Sequence, residues 1–244
     1  MNSSTYYTAE YIKSWSQISS QLSVWDYTAN YAYNSLIPNP DWFTVVPDRQ
    51  FEHANGVVGY YAEGSTHVSP GRDLSELWIY LNAKAMWNTT SHDSEQLISH
   101  FLGHYYGAAA PHVYEYMQAM VSHSAKTGQW CHDTGGCSAQ YYSPTAGFLT
   151  PTAVLAGVTA FERARAAVAA DPKLLTRVDR AKLPALFVLL LRWDEIKGSA
   201  EGLGGMTWPP ATGACGYNLP CAHQYVCKYQ SCMLQNGRLI PNAS

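Results

Sequence analysis

Apolar residues in the first part of the chain alternate between a strand pattern and a helical pattern. Two short runs rich in aromatic and β-branched residues, Leu22 to Tyr27 and Val57 to Ala62, are predicted to be strands. Their nearly continuous apolar character is typical of parallel strands, so we expect both to be buried on both faces. Helical spacing covers Thr8 to Ser20, Pro47 to Ala54 and Asp73 to Trp87. The pattern predicts two βα units.

Beyond residue 90 the pattern is helical. Apolar residues recur at helical spacing in four segments, and a loop at 126–150 separates the second from the third. Gly107 is expected to end the first helix, and Pro184 should break or kink the last. The predicted helices run over Ser94 to Tyr106, Pro111 to Ser124, Thr152 to Ala170 and Pro172 to Lys197.

The order of these elements indicates an α/β fold that is mostly helical. Two strands are too few for a stable sheet, so we interpret them as the last two βα units of a TIM-like barrel. The missing N-terminal barrel half is expected upstream of Met1. We divide the chain into partial-barrel units at 1–90, a helical bundle at 91–200 and a small cysteine-rich tail at 201–244.

Composition narrows the choice of partner. With 15 basic and 18 acidic residues the formal charge is −3, which argues against nucleic-acid binding. The apolar run Leu183 to Trp193 is too short to cross a membrane. The chain holds 18 Tyr and 8 Trp, and rings with a polar edge are common in sugar-binding clefts as well as in cores. We expect most of these rings to fill the core, while the others suit a sugar-binding cleft.

The cysteines indicate an oxidising compartment. Four of the six lie within the last thirty residues at spacings that lack the CxxC pairs of a zinc site. We predict disulfides, with three possible connectivities in the tail, at Cys131, Cys137, Cys215, Cys221, Cys227 and Cys232. An acceptor triplet at Asn88 predicts N-glycosylation and an extracellular or secretory location. Since no signal peptide is visible, we expect this chain to be the C-terminal part of a longer protein.

Several short motifs carry a family resemblance over about two thirds of the chain, from Val24 to Leu191. They are W-x-Y at Trp25 to Tyr27, P-N at Pro38-Asn39, G-V-x-G-x-x-x-E-G at Gly56 to Gly64, L-x-x-Y-L-x-A-K-x-x-W at Leu77 to Trp87, F-L-x-x-Y-Y-G-x-A at Phe101 to Ala109 and R-V at Arg177-Val178. The chain thereby resembles the DUF4838 domain, a domain of unknown function found in carbohydrate-active, glycoside-hydrolase-like proteins. The resemblance implies the C-terminal part of a barrel similar to those of glycosidases.

Two carboxylates near the predicted strand ends are the candidate catalytic residues. Glycoside hydrolysis uses a pair of carboxylates across the scissile bond, and Asp26 and Glu63 are expected to share one cleft. Sugar contacts are predicted at the neighbouring rings Trp25, Tyr27, Tyr60 and Tyr61. The alternative is that Asp26 is a hydrogen-bonding residue of the sheet and Glu63 an acid in a turn.

Other clusters are weaker candidates. His100 and His104 lie four apart, and His112 is near, but Phe101 stands where a zinc protease needs its glutamate. Cys131 lies next to a histidine, yet a cysteine in a disulfide cannot act as a nucleophile. We therefore predict neither a metal nor a cofactor.

The functional prediction is the C-terminal part of a secreted, glycoside-hydrolase-like protein that hydrolyses or binds glycans when complete. Without the N-terminal barrel half, we expect the chain on its own to be inactive. The alternative is a non-catalytic extracellular module that binds glycan or protein.

Overall fold

The structure of the protein, a computed structural model, describes residues 3–28, 36–63, 73–90, 93–127, 143–192, 195–196, 232–235 and 238–241. The described residues form eight α-helices and four β-strands. The helices are α1 (Ser3–Ser16), α2 (Val45–Ala54), α3 (Ser75–Trp87), α4 (Ser94–Tyr106), α5 (Ala110–Thr127), α6 (Pro151–Ala167), α7 (Pro172–Ala181) and α8 (Leu183–Leu191). The strands are β1 (Leu22–Tyr27), β2 (Val57–Glu63), β3 (Cys232–Gln235) and β4 (Arg238–Pro241).

The first two strands form a parallel two-stranded sheet. Leu22 lies opposite Val57 and Tyr27 opposite Glu63, with one irregularity after Leu22. The predicted neighbouring, parallel arrangement of these two segments is confirmed, as is a mostly helical α/β chain. The other two strands form an antiparallel pair that the sequence reasoning did not predict, in which Cys232 lies opposite Pro241.

Helix boundaries follow local chemistry. Asp93, Thr150 and Asp171 cap α4, α6 and α7, because their side chains accept hydrogen bonds from backbone N–H groups of the first turn. Gly107 ends α4 with a φ of 56°, which confirms its predicted role. The predicted break near Pro184 is also confirmed, since α7 ends at Ala181 and Pro184 is the second residue of α8.

The core is built by helices. One cluster of buried apolar side chains runs from Leu36 to Ile196 and draws on every helix from α2 to α8. Its largest fully buried side chains are Trp42, Tyr106, Tyr116, Phe148 and Phe161. Within the described chain, no residue of β1 or β2 belongs to this cluster. The sheet therefore lies beside the core and does not form part of it.

A buried carboxylate joins three parts of this core. Asp73, which is 1% exposed, accepts hydrogen bonds from the Tyr116 hydroxyl at 2.7 Å and from the Asn39 backbone N–H at 2.9 Å. The next residue, Leu74, has the left-handed conformation φ 46°, which is uncommon for a side chain with a Cβ. These contacts hold the segment before α2, the start of α3 and the middle of α5 in register.

The predicted burial of both strand faces is wrong. Exposure alternates along β1, and Trp25 is 64% and Tyr61 57% exposed. Helix α2 packs on the face that carries Asp26 and Tyr60, which its residue Arg49 contacts. An aromatic-rich run does not by itself distinguish a buried parallel strand from a strand with an exposed aromatic face. None of the described helices has both the length and the apolar character that a membrane span needs.

Candidate functional site

The strand register distributes the predicted site residues between two faces of the sheet. In parallel strands, residues opposite each other in register lie on the same face, and successive residues alternate between faces. We call the two sides the outer face and the inner face. The outer face carries Ser23, Trp25, Tyr27, Gly59, Tyr61 and Glu63. The inner face carries Val24, Asp26, Tyr60 and Ala62.

On the outer face, two rings and a carboxylate are in direct contact. The Trp25 indole N–H donates a hydrogen bond of 2.8 Å to the Glu63 Oε2 atom. The Tyr61 ring meets the Trp25 ring edge to face, with 4.9 Å between the ring centroids. Tyr27 lies opposite Glu63 in the register and is 47% exposed. We call Trp25, Tyr27, Tyr61 and Glu63 the aromatic platform.

The position of Glu63 is held by the backbone at the end of the sheet. Both the N–H and the hydroxyl of Thr28 donate to the Glu63 carbonyl, at 3.0 and 3.1 Å. The two strands therefore stay paired up to their carboxyl ends. In β/α architectures this end of a parallel strand is where functional side chains collect.

On the inner face, Asp26 belongs to a different network, centred on an arginine from α2. The Tyr60 hydroxyl donates to the Asp26 Oδ2 atom at 2.5 Å, and the Arg49 Nη2 atom donates to the same oxygen at 3.2 Å. The Arg49 guanidinium also lies 3.5 Å from the centroid of the Tyr60 ring. Its Nη1 atom is 3.2 Å from the carboxylate of Glu52. The Asp26 carboxylate therefore accepts hydrogen bonds from other residues of the protein.

The electrostatics of the inner face are dominated by burial. Arg49 is only 7% exposed, and three carboxyl groups surround it. Desolvation raises the pKa of Glu52 to about 7, although Arg49 opposes the shift. Desolvation likewise raises the pKa values of Asp26 and Asp48, again against the attraction of Arg49. One cation therefore compensates three partly desolvated acids.

The structure does not bring Asp26 and Glu63 together. The expected common cleft requires both carboxylates on one face, but Asp26 lies opposite Ala62 and points away from the Glu63 side. The reason is the period of two along a strand, which the spacing from Asp26 to Glu63 alone does not reveal. Tyr60 is separated from the other predicted sugar contacts for the same reason. The assignment of Asp26 as a hydrogen-bonding residue of the sheet describes its contacts better.

Arg49 and Glu52 are the site residues that sequence reasoning missed. Both lie on α2, the helix that connects the two strands. A signal was present, because Asp48, Arg49 and Glu52 are charged residues within one turn of a helix that must pack on a sheet. The register of the helix against the strands decides which of them are buried, and that register is a tertiary property.

A cavity of about 580 Å³ lies between β2 and the end of α3. Val58, Tyr60 and the α2 residues Arg49 and Glu52 line one side of it, and residues 86–90 line the other. The predicted glycosylation residue Asn88 lies exposed on this second side, immediately after α3.

The remaining candidates from the sequence occupy separate places. Within α4 the Nδ1 atom of His104 lies 2.9 Å from the His100 carbonyl, and His100 Nδ1 lies 3.0 Å from the Tyr80 hydroxyl. His112 is 3.3 Å from the carboxylate of Glu115. Among the described residues, no three His, Cys, Asp or Glu side chains are grouped to hold a metal ion. Five of the predicted disulfide cysteines lie outside the described residues, and Cys232 is placed only as the first residue of β3.

Comparison with known families finds a match in the first part of the chain. Residues 1–118 match the family model DUF4838, described as a domain of unknown function. The predicted family is therefore confirmed for this part of the chain, which contains both strands of the parallel sheet. The match begins before Val24 and ends within α5, so the Arg177-Val178 pair lies outside it. No curated protein and no solved structure matches the chain.

Proposed function

With residues 1–118 placed in the DUF4838 family, we propose that this chain binds carbohydrate through its aromatic platform. The observation that carries the proposal is the Trp25 to Glu63 hydrogen bond at 2.8 Å beside the Tyr61 ring. It joins an exposed apolar ring and a carboxylate acceptor within a few ångströms at the carboxyl end of a parallel sheet.

This combination matches the chemistry of a sugar. A pyranose ring presents a flat patch of C–H groups on one face and hydroxyl groups around its rim. Exposed rings such as Trp25 and Tyr61 can stack on the C–H patch, and a carboxylate such as that of Glu63 accepts hydrogen bonds from the hydroxyls. The hydrogen bond from Trp25 fixes the carboxylate before a ligand arrives, which lowers the entropic cost of binding.

The charge of the platform favours a neutral ligand. Glu63 is the one carboxylic acid among the six sheet residues of the outer face, none of which is basic, and its carboxylate would repel a phosphate or another carboxylate. A nucleic acid would need the opposite charge beside the rings. We therefore propose neutral oligosaccharides as the ligand class.

Hydrolysis is the second candidate function, for the complete protein. Glu63 lies at the carboxyl end of a parallel strand, the position where catalytic residues of barrel enzymes lie. The outer face of β1 and β2 offers one carboxylate, whereas hydrolysis needs two. The second group would have to come from outside this sheet. For this reason we place binding before catalysis.

The wider context is also a proposal. We propose that β1 and β2 are units of a β/α barrel that further strands complete, because a parallel pair with an exposed face suits a larger sheet. A secreted location is supported by the cysteine pattern and by the acceptor triplet at Asn88.

Titration with sugars tests the binding proposal directly. The unmodified chain, produced without glycosylation, is titrated with neutral gluco-, xylo-, manno- and chito-oligosaccharides, and binding is followed by calorimetry. We expect one of these series to bind, and both Trp25→Ala and Tyr61→Ala to weaken it by about tenfold or more, the loss of one good stacking contact.

Trp15→Ala provides the matched control, because Trp15 is an exposed tryptophan at a different place, on α1. It should leave the affinity unchanged. Equal losses in the Trp25 and Trp15 variants, or no binding of any of the four series, would refute the platform as the sugar site.

Glu63→Gln in the complete gene product separates binding from hydrolysis. The amide keeps a hydrogen-bond acceptor for Trp25 but removes the acid. Loss of sugar release with binding retained supports the catalytic role, whereas unchanged sugar release refutes it.

A further inference from the structure

We infer that Asn88 carries an N-linked glycan whose first sugars pack against Trp87 in the cavity beside β2. The inference rests on the proposed secretory route. It does not depend on sugar binding by the aromatic platform, which lies on the outer face of the sheet.

The acceptor triplet has an accessible and well-placed asparagine. Asn88 is the first residue after α3, with the extended conformation φ −144° and ψ 90°, and its side chain is exposed. The Thr90 hydroxyl donates to the Asn88 side-chain oxygen at 3.4 Å. The asparagine and the hydroxyl residue two positions later, which the acceptor motif requires, are therefore in contact on the surface.

The modification is a transfer of an oligosaccharide from a lipid-linked pyrophosphate donor. The Asn88 Nδ2 atom forms a bond to the anomeric carbon of the first sugar, and the bond from that carbon to the pyrophosphate oxygen breaks. The lipid pyrophosphate leaves with the bonding electron pair, and one Nδ2 proton is lost to a base of the transferase. The donor and the transferase belong to the secretory pathway.

The tryptophan before the acceptor explains where the attached sugar would lie. Trp87 is 91% exposed, the most exposed large apolar side chain among the described residues, and it lines the cavity of about 580 Å³ together with Asn88. A cavity of this volume is within the range of small-ligand pockets, roughly 300–1,000 Å³. The C–H face of an attached sugar would shield the indole that the protein itself leaves uncovered.

The opposite wall of the cavity is formed by β2 and α2. Residues 57–60 of β2 line it, and Val58 is 69% exposed. Arg49 and Glu52 also line it, and their charged groups lie 3.2 Å apart, so each has a partner within the protein. An exposed apolar side chain beside paired charges suits a neutral sugar.

Site occupancy is the first test. The full chain is directed through the secretory pathway of a glycosylating host cell, and the glycan is located by peptide mass spectrometry. We expect a glycan on Asn88 in the unmodified chain and in Thr90→Ser, and none in Thr90→Ala or Asn88→Gln. A secreted chain with Asn88 unmodified would overturn the inference.

The packing of the glycan is the second test. An amidase that removes N-glycans is applied to the folded glycoprotein, and the release rate from Asn88 is measured. Because a stacked sugar must detach first, Trp87→Ala should speed release by roughly three- to tenfold, the worth of one aromatic contact. Trp15→Ala, which removes another exposed tryptophan on α1, should leave the rate unchanged. Equal rates in all three proteins would refute the packing.

A variant without the glycan separates this inference from the platform proposal. Asn88→Gln should bind oligosaccharides as the unmodified chain does, so a failure of the platform proposal is recognised separately from a failure of this one.

Discussion

The two faces of the small parallel sheet are built from the same strands but are organised in opposite ways. On the inner face, Asp26 and Tyr60 are joined to Arg49 in a network that α2 covers. On the outer face, Trp25 contacts both Tyr61 and Glu63, yet the two rings are more than half exposed. The comparison shows that alternating side chains give the two faces different roles. The inner face stabilises the fold, and the outer face exposes aromatic rings and a carboxylate to solvent.

The largest expected effect on stability comes from removing the inner-face residue Arg49. Arg49→Ala leaves partly buried carboxyl groups without their cation, and we expect a loss of about 2–3 kcal/mol in the free energy of unfolding at pH 7. Urea denaturation measures it. The loss should shrink at pH 5, where Glu52, with its pKa of about 7, is protonated in the folded chain. A loss no greater than that of an outer-face variant would contradict the structural role of the inner network.

The second difference is a pH dependence that belongs to the inner face. The pKa of Glu52 is about 7 in the folded chain and near its ordinary value of 4.5 in the unfolded chain. Between these values the folded chain binds more protons, so its stability falls as the pH rises from about 4.5 to about 7. The raised pKa values of Asp26 and Asp48 act in the same direction.

Glu52→Gln isolates this effect. In the unmodified chain the free energy of unfolding should fall by about 1–3 kcal/mol across that pH interval. In Glu52→Gln this decrease should be absent. Glu10→Gln, a change at an exposed carboxylate on α1, serves as the control and should keep the decrease. Urea denaturation at several pH values measures both. An unchanged pH profile in Glu52→Gln would exclude Glu52 as its source.

On the outer face the effect on stability should be smaller than the effect on binding. Trp25→Ala removes a ring that is 64% exposed, so we expect less than about 1 kcal/mol in stability. The same substitution is expected to weaken oligosaccharide binding strongly. If Trp25→Ala instead unfolds the chain, the outer face is a structural surface and the contrast between the faces fails.

The smallest effect is expected at Gly59, also on the outer face. A Cβ atom at Gly59 would lie 2.6 Å from the Ser23 hydroxyl oxygen, but that exposed hydroxyl can rotate away. The reduced freedom of the unfolded chain in Gly59→Ala offsets the remaining crowding. We expect a change within about 0.5 kcal/mol in either direction, measured by thermal unfolding. A larger loss would show that the outer face is packed more tightly than its exposure indicates.

The elements that were predicted well are those whose signals are local. The strand Leu22 to Tyr27 and the helix from Ser94 to Tyr106 have the predicted bounds, because periodicity and end residues lie within each segment. The candidate site was predicted only in part. Trp25, Tyr61 and Glu63 lie on one face of the sheet, whereas Asp26 is on the other. The register of the two strands separates Asp26 from these residues. That register depends on how the strands pair, and the spacing of residues along the chain does not show it.

By itself the sequence determined the order and type of the elements from residue 22 to residue 127, the parallel neighbourhood of β1 and β2 and the family of residues 1–118. Only the tertiary structure decided which side of the sheet α2 covers and that Arg49 reaches Asp26. The physical reason is the distance along the chain over which each kind of interaction acts. Periodicity and capping act within a few residues, whereas burial and charge compensation depend on groups that are distant along the chain.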